Sequence, residues 1–406
     1  MKQEYEVIYD INDLHFLTNN IYNLPDIIIS ETSPVRINVL VPAFDTTSMS
    51  AGFFGVFHLA KNLSSMGYRV RLVLFDSFDF NISRFRKFLG ATSGLDDLLN
   101  LVEVEYIGDR KKPLVISKKD FAIATVWYSA YVAEKIRSVC NQSHFLYLIQ
   151  DYEPGFFPHS SHYALSLNTY NLPCKKLFST EILANFFVAN NIIQKNEKYC
   201  FFHNAASVSG SDSYNLQKKA KISSKKDKIF VLYSRPQVDR NMFLLAAHSI
   251  VEAYTKIFKD SEYNWKFYGM GIGNITICLD ENNKVSQLPR MSLKEYKEFI
   301  GSIDICLTLM ATPHPSMIPM DIAGSGGLVV TNLMHTRTKE YYKKISSNII
   351  AVEASRDKIV LGIKQAIIKL EESVDVPKNT KINYPTSWVE TWNDEVKMYL
   401  DHVFKD

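Results

Sequence analysis

Residues 303–332 read IDICLTLMATPHPSMIPMDIAGSGGLVVTN, and this stretch decides the fold class. It begins with a short apolar run rich in β-branched residues, 303–310, which is typical of a buried strand. A proline-containing loop follows, and Pro319 stands where a proline suits the first turn of a helix. Glycines after residue 323 end that helix before the apolar run 328–331. The stretch therefore predicts a strand–loop–helix–strand unit of a parallel α/β sheet.

The loop in this unit is a candidate ligand site, because open α/β sheets bind ligands beyond the carboxyl ends of their strands. The helix start near Pro319 would offer backbone amides and a partial positive charge, which suit a phosphate. Asp321 lies in the first turn, where its carboxylate could accept hydrogen bonds from sugar hydroxyls. The alternative is a buried element in which Asp321 only caps its helix.

Length, charge and cysteine spacing narrow the class of protein. A chain of 406 residues is long enough for two or three domains, and a net charge of +3 does not argue for nucleic acid. The five cysteines are scattered without metal-ligand or CxxC spacing, which predicts reduced thiols and a cytoplasmic protein. We expect neither an export signal nor a membrane-spanning segment, since no apolar stretch is long enough.

The N-terminal half begins with a strand–helix–strand pattern. Strand 35–41 is followed by a loop containing Gly52, a helix over 54–66 and a strand over 69–75. No G-x-G-x-x-G sequence follows the first strand, which disfavours a nicotinamide-dependent enzyme.

A second informative stretch, residues 144–158, reads HFLYLIQDYEPGFFP. Its strand, 145–149, leads directly into Asp151 and Glu153. Two carboxylates at the end of a buried strand must either be paired with positive charges or have a function. In one site they can act as acid and base or stabilise a cationic transition state. If the extended conformation continues, both lie on the same face. The alternative is that they cap the segment that follows.

The C-terminal half repeats the alternation. Strand 229–233 ends at Arg235, whose planar guanidinium suits a diphosphate, and Asp239 is a candidate N-cap for a helix over 240–258. Strand 264–268 runs into Gly269 and Gly271, which would let a ligand approach the backbone. The alternative for Arg235 is an ion pair with a neighbouring acid.

These patterns predict four segments. Residues 1–210 form an N-terminal α/β domain with an extension over 1–34, and residues 211–228 form a linker. Residues 229–386 form a C-terminal α/β domain, and residues 387–406 a helix that crosses back to the first domain. Basic residues cluster at 81–90 and again at Lys111, Lys112, Lys118 and Lys119. Both clusters suit either a solvated face or an anionic membrane surface.

Three motifs carry a family resemblance: QDYEP at 150–154, YSRPxxxRN at 233–241 and LMATPHPSMIPMDIAGSGGLVVTN at 309–332. Together they resemble the WsaF-type rhamnosyltransferases, bacterial enzymes related to glycosyltransferase family 4, over residues 35–400. The resemblance implies a GT-B fold, in which two Rossmann-like domains face each other across a cleft. It also implies a metal-independent, cofactor-free, retaining transfer of L-rhamnose from dTDP-β-L-rhamnose to a surface polysaccharide or lipid-linked glycan.

The resemblance assigns roles to residues. Arg235 and the helix start near Pro319 would hold the diphosphate, Asp321 the ribose, and His314 with Ser316 the donor sugar. The full expected donor set is Gly52, Tyr233, Arg235, Arg240, Gly269, Gly271, His314, Ser316 and Asp321, and the expected catalytic residues are Asp151 and Glu153. No residue is expected to bind a metal.

The sequence departs from family 4 at two positions, which leaves the donor sugar open. Asp321 is shorter than the usual glutamate, and Pro313 replaces the glutamate eight positions earlier. The alternatives are a transferase for another nucleotide sugar, an epimerase acting on a nucleotide sugar, and an inactive sugar-binding subunit of a glycan-assembly complex. The expected partners are a nucleotide-sugar donor and a glycan acceptor, without nucleic acid. Peripheral contact with the cytoplasmic face of the inner membrane stays open.

Overall fold

The computed structural model describes residues 16–42, 51–92, 94–194, 196–208, 226–372 and 379–405. Most of the expected linker and the start of the N-terminal extension lie outside the described residues. The chain divides into two compact units. The first takes the chain up to Ser179, Asn191–Phe202 and everything from Trp392 onward, and the second takes Thr180–Asn190 and His203–Thr391.

The elements follow one another in α/β alternation. The strands are β1 (Ile27–Ile29), β2 (Ile37–Val41), β3 (Val70–Leu74), β4 (Glu103–Tyr106), β5 (Leu114–Ile116), β6 (Phe121–Ala124), β7 (Phe145–Ile149), β8 (Cys174–Phe178), β9 (Tyr199–Phe201), β10 (Asp227–Tyr233), β11 (Asn264–Met270), β12 (Thr276–Cys278), β13 (Lys284–Gln287), β14 (Ile305–Leu307), β15 (Leu328–Asn332) and β16 (Ile349–Val352). The α-helices are α1 (Ala51–Ser65), α2 (Ile82–Gly90), α3 (Leu98–Leu101), α4 (Ser129–Cys140), α5 (Ser161–Asn168), α6 (Glu181–Ala189), α7 (Phe243–Ala253), α8 (Leu293–Ile300), α9 (Ile318–Gly324), α10 (Lys339–Ile345), α11 (Arg356–Glu372), α12 (Trp388–Thr391) and α13 (Asp394–Lys405).

The first unit is built on a seven-stranded parallel sheet of order β4-β3-β2-β6-β7-β8-β9. Strand β2 lies between β3 and β6, so the direction of strand order reverses there. All five residues of β2 and of β7 are buried, which explains why both read as continuous apolar runs. Helix α13 packs on this unit, where the Tyr399 hydroxyl donates to the Lys176 carbonyl at 2.9 Å.

The second unit has its own seven-stranded sheet, of order β12-β13-β11-β10-β14-β15-β16, parallel except for β12. Here β10 lies between β11 and β14, so the reversal of strand order falls between β10 and β14. Helices α7 and α11 cover one face with a core that includes Phe230, Ile250 and Ile363. The other face packs on α9 and α10 through residues such as Val329 and Tyr342.

Two boundaries differ from those predicted. Helix α6 lies within the expected N-terminal domain but packs in the second unit, where the Thr336 hydroxyl donates to the Ile182 carbonyl at 2.9 Å. The expected terminal helix of residues 387–406 is two helices, α12 in the second unit and α13 in the first. Asn393 separates them, because its side chain accepts from the Val396 amide at 3.0 Å as an N-cap. Composition marks a polar linker, but it does not reveal the sheet against which a neighbouring helix packs.

The predicted helix over 240–258 begins differently as well. Asp239–Asn241 form a 3₁₀ turn, Met242 has the positive φ of 46°, and α7 starts at Phe243. Asp239 is therefore not the N-cap. The Arg240 carbonyl accepts from the Ala311 amide at 2.7 Å. The turn is therefore held by a loop far along the chain, and local sequence patterns do not reveal such a contact.

The remaining expectations concern cysteines and membrane spans. All five cysteines are free thiols. No helix within the described residues combines the length and the apolar character needed to cross a bilayer.

Candidate functional site

The reversal of strand order in the second unit is the strongest candidate site, because doubly wound sheets bind ligands at such a point. Residues 234–242 follow β10, and residues 308–317 follow β14. Asn332 at the end of β15 fastens the second of these segments, since its side chain accepts from the Met310 amide at 2.8 Å and donates to the Met310 carbonyl at 2.9 Å.

These two segments hold several buried polar atoms without hydrogen-bond partners: Arg235 Nε, Asn241 Oδ1, Thr308 Oγ1 and His314 Nε2. Arg337 Nε, after β15, is buried without a partner as well. Folded proteins pair nearly all buried polar groups, and an exception marks a functional site or a bound polar species. Both donors and acceptors are present, so a ligand that fits them carries hydroxyls as well as anionic oxygens.

Arg235 lies half-buried just beyond β10, beside two of the predicted glycines. A Cβ on Gly271 would stand 2.2 Å from the Ser234 carbonyl oxygen, and Gly271 has a φ of 145°. A Cβ on Gly269 would stand 2.9 Å from the Ser234 hydroxyl, which hydrogen-bonds to Gln287 at 2.6 Å. These glycines therefore allow the ends of β10 and β11 to pack closely, which is a different reason from the ligand approach that we predicted. No described carboxylate forms an ion pair with Arg235, contrary to the alternative in the sequence analysis.

His314 is held uncharged within the segment after β14. Burial of the imidazole lowers its pKa to about 3, and the positive charges of Arg337 and Arg240 act in the same direction. A neutral imidazole offers one hydrogen-bond donor and one acceptor. Ser316 lies two residues further on, where its hydroxyl accepts from the Ile318 amide at 3.3 Å.

The helix start near Pro319 has fewer available amides than the sequence predicts. The Ile318 amide donates to Ser316, Pro319 has no N–H, and the Met320 and Asp321 amides both donate to the Met317 carbonyl at 3.0 Å. The proline and the tight turn consume the groups that an ideal helix start leaves open.

Asp321 is buried, and both of its carboxylate oxygens accept hydrogen bonds. The Ser207 amide donates to Oδ1 and the Tyr296 hydroxyl to Oδ2, each at 2.7 Å. Burial raises the pKa of Asp321 to about 7, although these two donors oppose the shift. The carboxylate thus joins α9 to α8 and to residues 203–208 rather than capping its own helix. Its contact with a ribose remains a prediction.

The other two predicted residues of this unit flank these groups. Tyr233 is half-buried at the end of β10, and its hydroxyl is one of the groups that raise the pKa of Tyr296, behind burial and Asp321. Arg240 is half-buried in the 3₁₀ turn, and its charge acts on His314. The structure therefore brings Arg240 to His314 and brings Tyr233 to the neighbourhood of Asp321.

In the first unit, Gly52 and the end of β7 come together. Gly52 lies in the first turn of α1, and a Cβ there would stand 3.0 Å from Gln150 Oε1. That oxygen is buried without a partner, while the Gln150 amide nitrogen donates to the Thr125 carbonyl at 3.3 Å. The carboxyl ends of β6 and β7 thus converge on an unsatisfied acceptor beside Gly52.

Asp151 and Glu153 both act electrostatically on the buried Tyr170 hydroxyl, but their hydrogen bonds differ. Strand β7 ends at Ile149 and a 3₁₀ turn begins at Glu153, so the alternation of an extended chain does not apply to them. Asp151 accepts from the Tyr152 amide at 2.8 Å. Glu153 accepts from the Tyr147 hydroxyl at 3.5 Å, and its charge supports burial in raising the pKa of Tyr147 well above its usual range.

Metal ligation has no visible basis in the part of the chain that the structure describes. No group of three or more His, Cys, Asp or Glu side chains there is arranged to hold an ion.

Two residues of these sites, Gln150 and Arg337, gave little or no signal in the sequence. Gln150 adjoins the predicted carboxylates within the motif QDYEP, and that position was its only signal. Arg337 lies in a polar segment after β15 without a pattern, yet its side chain is 1% exposed. Only the packing around it reveals that it is buried.

The fold is the GT-B fold of nucleotide-sugar glycosyltransferases, as we predicted. Anabaena HepE, solved in complex with UDP-glucose, is 12% identical and covers 91% of this chain and 100% of its own, with a TM-score of 0.61. Sucrose-phosphate synthase from Thermosynechococcus elongatus is 9% identical and covers 92% of this chain and 98% of its own, with a TM-score of 0.56.

Within that fold class the family is defined by sequence. Residues 36–181 match the WsaF N-terminal domain and residues 228–364 match the WsaF C-terminal domain. The chain therefore belongs to the WsaF family, which confirms the resemblance. The O-antigen biosynthesis protein RfbC from Myxococcus xanthus is 23% identical over 256 residues, which are 61% of this chain and 18% of that protein. The chain thus corresponds to less than a fifth of that relative.

Proposed function

We propose that the protein is a glycosyltransferase that moves a sugar from a nucleotide sugar to a bacterial surface polysaccharide of the O-antigen type. The observation that carries this proposal is the match to the WsaF family in both halves of the chain. Two further observations support it: the relative RfbC is described as an O-antigen biosynthesis protein, and HepE was solved with UDP-glucose.

For the donor we propose dTDP-β-L-rhamnose, held at the reversal point between β10 and β14. The support is the motif resemblance together with the unpartnered donors and acceptors of Arg235, Asn241 and His314. Arg235 and Arg240 would neutralise the diphosphate, since guanidinium groups bind phosphate oxygens in pairs. The acceptor we propose is the hydroxyl of a lipid-linked glycan.

In the proposed reaction, all catalytic groups belong to this chain. The bond between the anomeric carbon and the diphosphate oxygen breaks, the acceptor hydroxyl oxygen bonds to that carbon, and the acceptor proton leaves to a base. The diphosphate departs as an anion, which the arginines stabilise without a metal. We propose retention of configuration, and a carboxylate near the oxocarbenium-like centre lowers the barrier.

The test combines binding and product analysis. We expect calorimetric binding of dTDP-rhamnose, and rhamnose transfer to a lipid-linked glycan that persists with a chelator present. Arg235→Ala should weaken dTDP binding by about 1.5–3 kcal/mol, the range for a hydrogen bond to a charged group. Transfer from UDP-glucose instead would identify a different donor. An altered nucleotide sugar without acceptor would identify an epimerase, and binding without turnover an inactive subunit.

The two carboxylates of the first unit should respond differently to removal of charge. Asp151→Asn should lower turnover by a hundredfold or more, about 2.7 kcal/mol in barrier, with donor affinity unchanged. Glu153→Gln, the matched control, should mainly lower the melting temperature, because Glu153 accepts from the buried Tyr147 hydroxyl. Normal turnover in both variants would show that neither carboxylate is catalytic.

We also propose peripheral contact with an anionic membrane surface at the cytoplasmic face. The apolar side of α2 is not available for it, because Phe85 is buried and its ring lies 5.6 Å from that of Phe57. Strands β1 and β5, which form a separate two-stranded parallel sheet, suit it better. Ile28 is 51% exposed and Val115 37% exposed. The exposed lysines 111, 112, 118 and 119 flank β5 on both sides.

A further inference from the structure

Arg337 is a buried cation without a described counter-charge. Its Nη1 donates to the Tyr342 hydroxyl at 2.8 Å, and its Nη2 donates to the Met310 carbonyl. Its Nε is buried without a partner, and no carboxylate of the described residues forms an ion pair with it. Nothing in the motif resemblance assigns this residue a role.

A guanidinium taken out of water without a carboxylate is destabilising, because desolvation is only partly offset by neutral hydrogen-bond acceptors. A hydrophobic side chain would fill this place at lower cost in stability. The presence of a buried arginine at position 337 therefore needs an explanation other than stability. Its neighbours are Met310, near the start of the segment after β14, and His314 further along it.

The tautomer of His314 follows from its contacts. One ring nitrogen contacts the backbone of Pro315, and proline has no N–H, so the partner is the carbonyl oxygen. A carbonyl only accepts, so that ring nitrogen carries the hydrogen. The unpartnered nitrogen is Nε2, which makes the contacting nitrogen Nδ1. In a neutral ring, Nε2 is then a buried hydrogen-bond acceptor.

Three groups act electrostatically on this imidazole: Arg337 after β15, Arg240 after β10 and His203 after β9. None is an acid, and each opposes a positive charge on the ring. Burial and these groups together keep Nε2 an acceptor across the physiological pH range. A lone pair so placed repels a phosphate oxygen and binds a hydroxyl.

We propose that Arg337 is a positioning residue of the donor site: it anchors the segment after β14 and sets its positive charge against the His314 ring, so that His314 Nε2 accepts a hydrogen bond from a hydroxyl of the donor sugar. The proposal rests on the proposed function and specifies its ligand chemistry. Nε2 recognises the sugar ring, whereas Arg235 recognises the diphosphate.

The first experiment isolates the sugar contact. Calorimetry gives the affinities of the wild type and His314→Phe for dTDP and dTDP-rhamnose, with UDP and UDP-glucose as a second pair. For each pair, the relevant quantity is the dissociation constant of the nucleotide divided by that of the nucleotide sugar. We expect His314→Phe to reduce this ratio about tenfold, the loss of one good hydrogen bond, with affinity for the diphosphate unchanged.

The second experiment tests the role of Arg337 in Arg337→Met and Arg337→Lys. NMR of labelled histidine should show the His314 ring protonating at higher pH in Arg337→Met than in the wild type, with Arg337→Lys close to the wild type. In Arg337→Met, the ratio of dissociation constants within a pair should fall at acid pH and recover toward pH 8. A purely structural role predicts weaker binding of both ligands at every pH and an unchanged His314 titration, which would overturn the proposal.

The outcomes separate the two proposals. A wild type that prefers the nucleotide sugar, together with a His314→Phe variant that keeps the preference, overturns this inference and leaves the proposed function intact. A wild type that binds no nucleotide overturns both. If Arg337→Met does not fold, Arg337→Gln, which also removes the positive charge, replaces it in the titration, and the His314→Phe ratio still decides the sugar contact.

Discussion

Burial shifts the pKa values of two side chains in the second unit in opposite directions. Burial raises the pKa of Asp321 to about 7 and lowers that of His314 to about 3. The cause is the same, because a group removed from water favours its uncharged form whether it is an acid or a base. Neither has an opposite charge close enough to reverse the effect. Titratable groups perturbed in this way are typical of functional sites.

Asp321 should make stability depend on pH. Its folded pKa of about 7 exceeds the unfolded value of 3.8, so its contribution to stability is complete below pH 3.8 and is lost as the pH rises to about 7. Asp321→Asn removes this titration. We expect chemical denaturation at pH 5 and pH 8 to show a smaller pH dependence in the variant than in the wild type. Equal slopes would contradict a buried, proton-retaining carboxyl.

At the scale of elements, the site depends on how closely the ends of β10 and β11 approach. Ser234 donates from its amide to the Met270 carbonyl at 2.8 Å, and the Gln287 side chain donates to the Gly271 carbonyl at 3.2 Å. This packing fixes the start of the segment that carries Arg235. The glycines next to it are therefore required by backbone geometry.

Gly271→Ala should destabilise the second unit. The new methyl group would stand 2.2 Å from a backbone oxygen, and the φ of 145° is strained for alanine. We expect a loss of more than about 1 kcal/mol in unfolding free energy, together with weaker nucleotide binding. Gly90→Ala is the control, since nothing lies within 4 Å of a Cβ at that position. Matching melting temperatures for the two variants would show that the β10–β11 approach is not tight.

At the scale of the whole molecule, each unit has its own parallel sheet and its own reversal of strand order. The chain contributes to both units more than once, through α6 in the second and α13 in the first. A truncation before residue 392 would therefore remove part of the first unit, although it lies at the far end of the sequence.

Membrane contact is tested with the intact protein. We expect it to sediment with vesicles of anionic phosphatidylglycerol and not with phosphatidylcholine, with binding reduced by salt, because each lysine near an anionic surface contributes about 1 kcal/mol. Replacing lysines 111, 112, 118 and 119 by glutamine should abolish sedimentation. The control variant replaces Arg84, Arg86 and Lys87 of α2. Equal binding to both lipids would contradict a contact with an anionic surface. Loss of binding only in the control variant would place the contact at α2.

The sequence by itself determined the α/β alternation, the GT-B fold and the family, because apolar runs, turn residues and contiguous motifs are local properties of the chain. It also located Arg235 and His314 after the ends of strands and Asp321 in the first turn of a helix. Only the tertiary structure decided what surrounds them. One hydrogen-bond partner of Asp321 is the Ser207 amide, 114 positions away, and Arg337 contacts Met310 across 27 positions. Burial, protonation state and hydrogen-bond partners depend on such distant contacts, which no local pattern encodes.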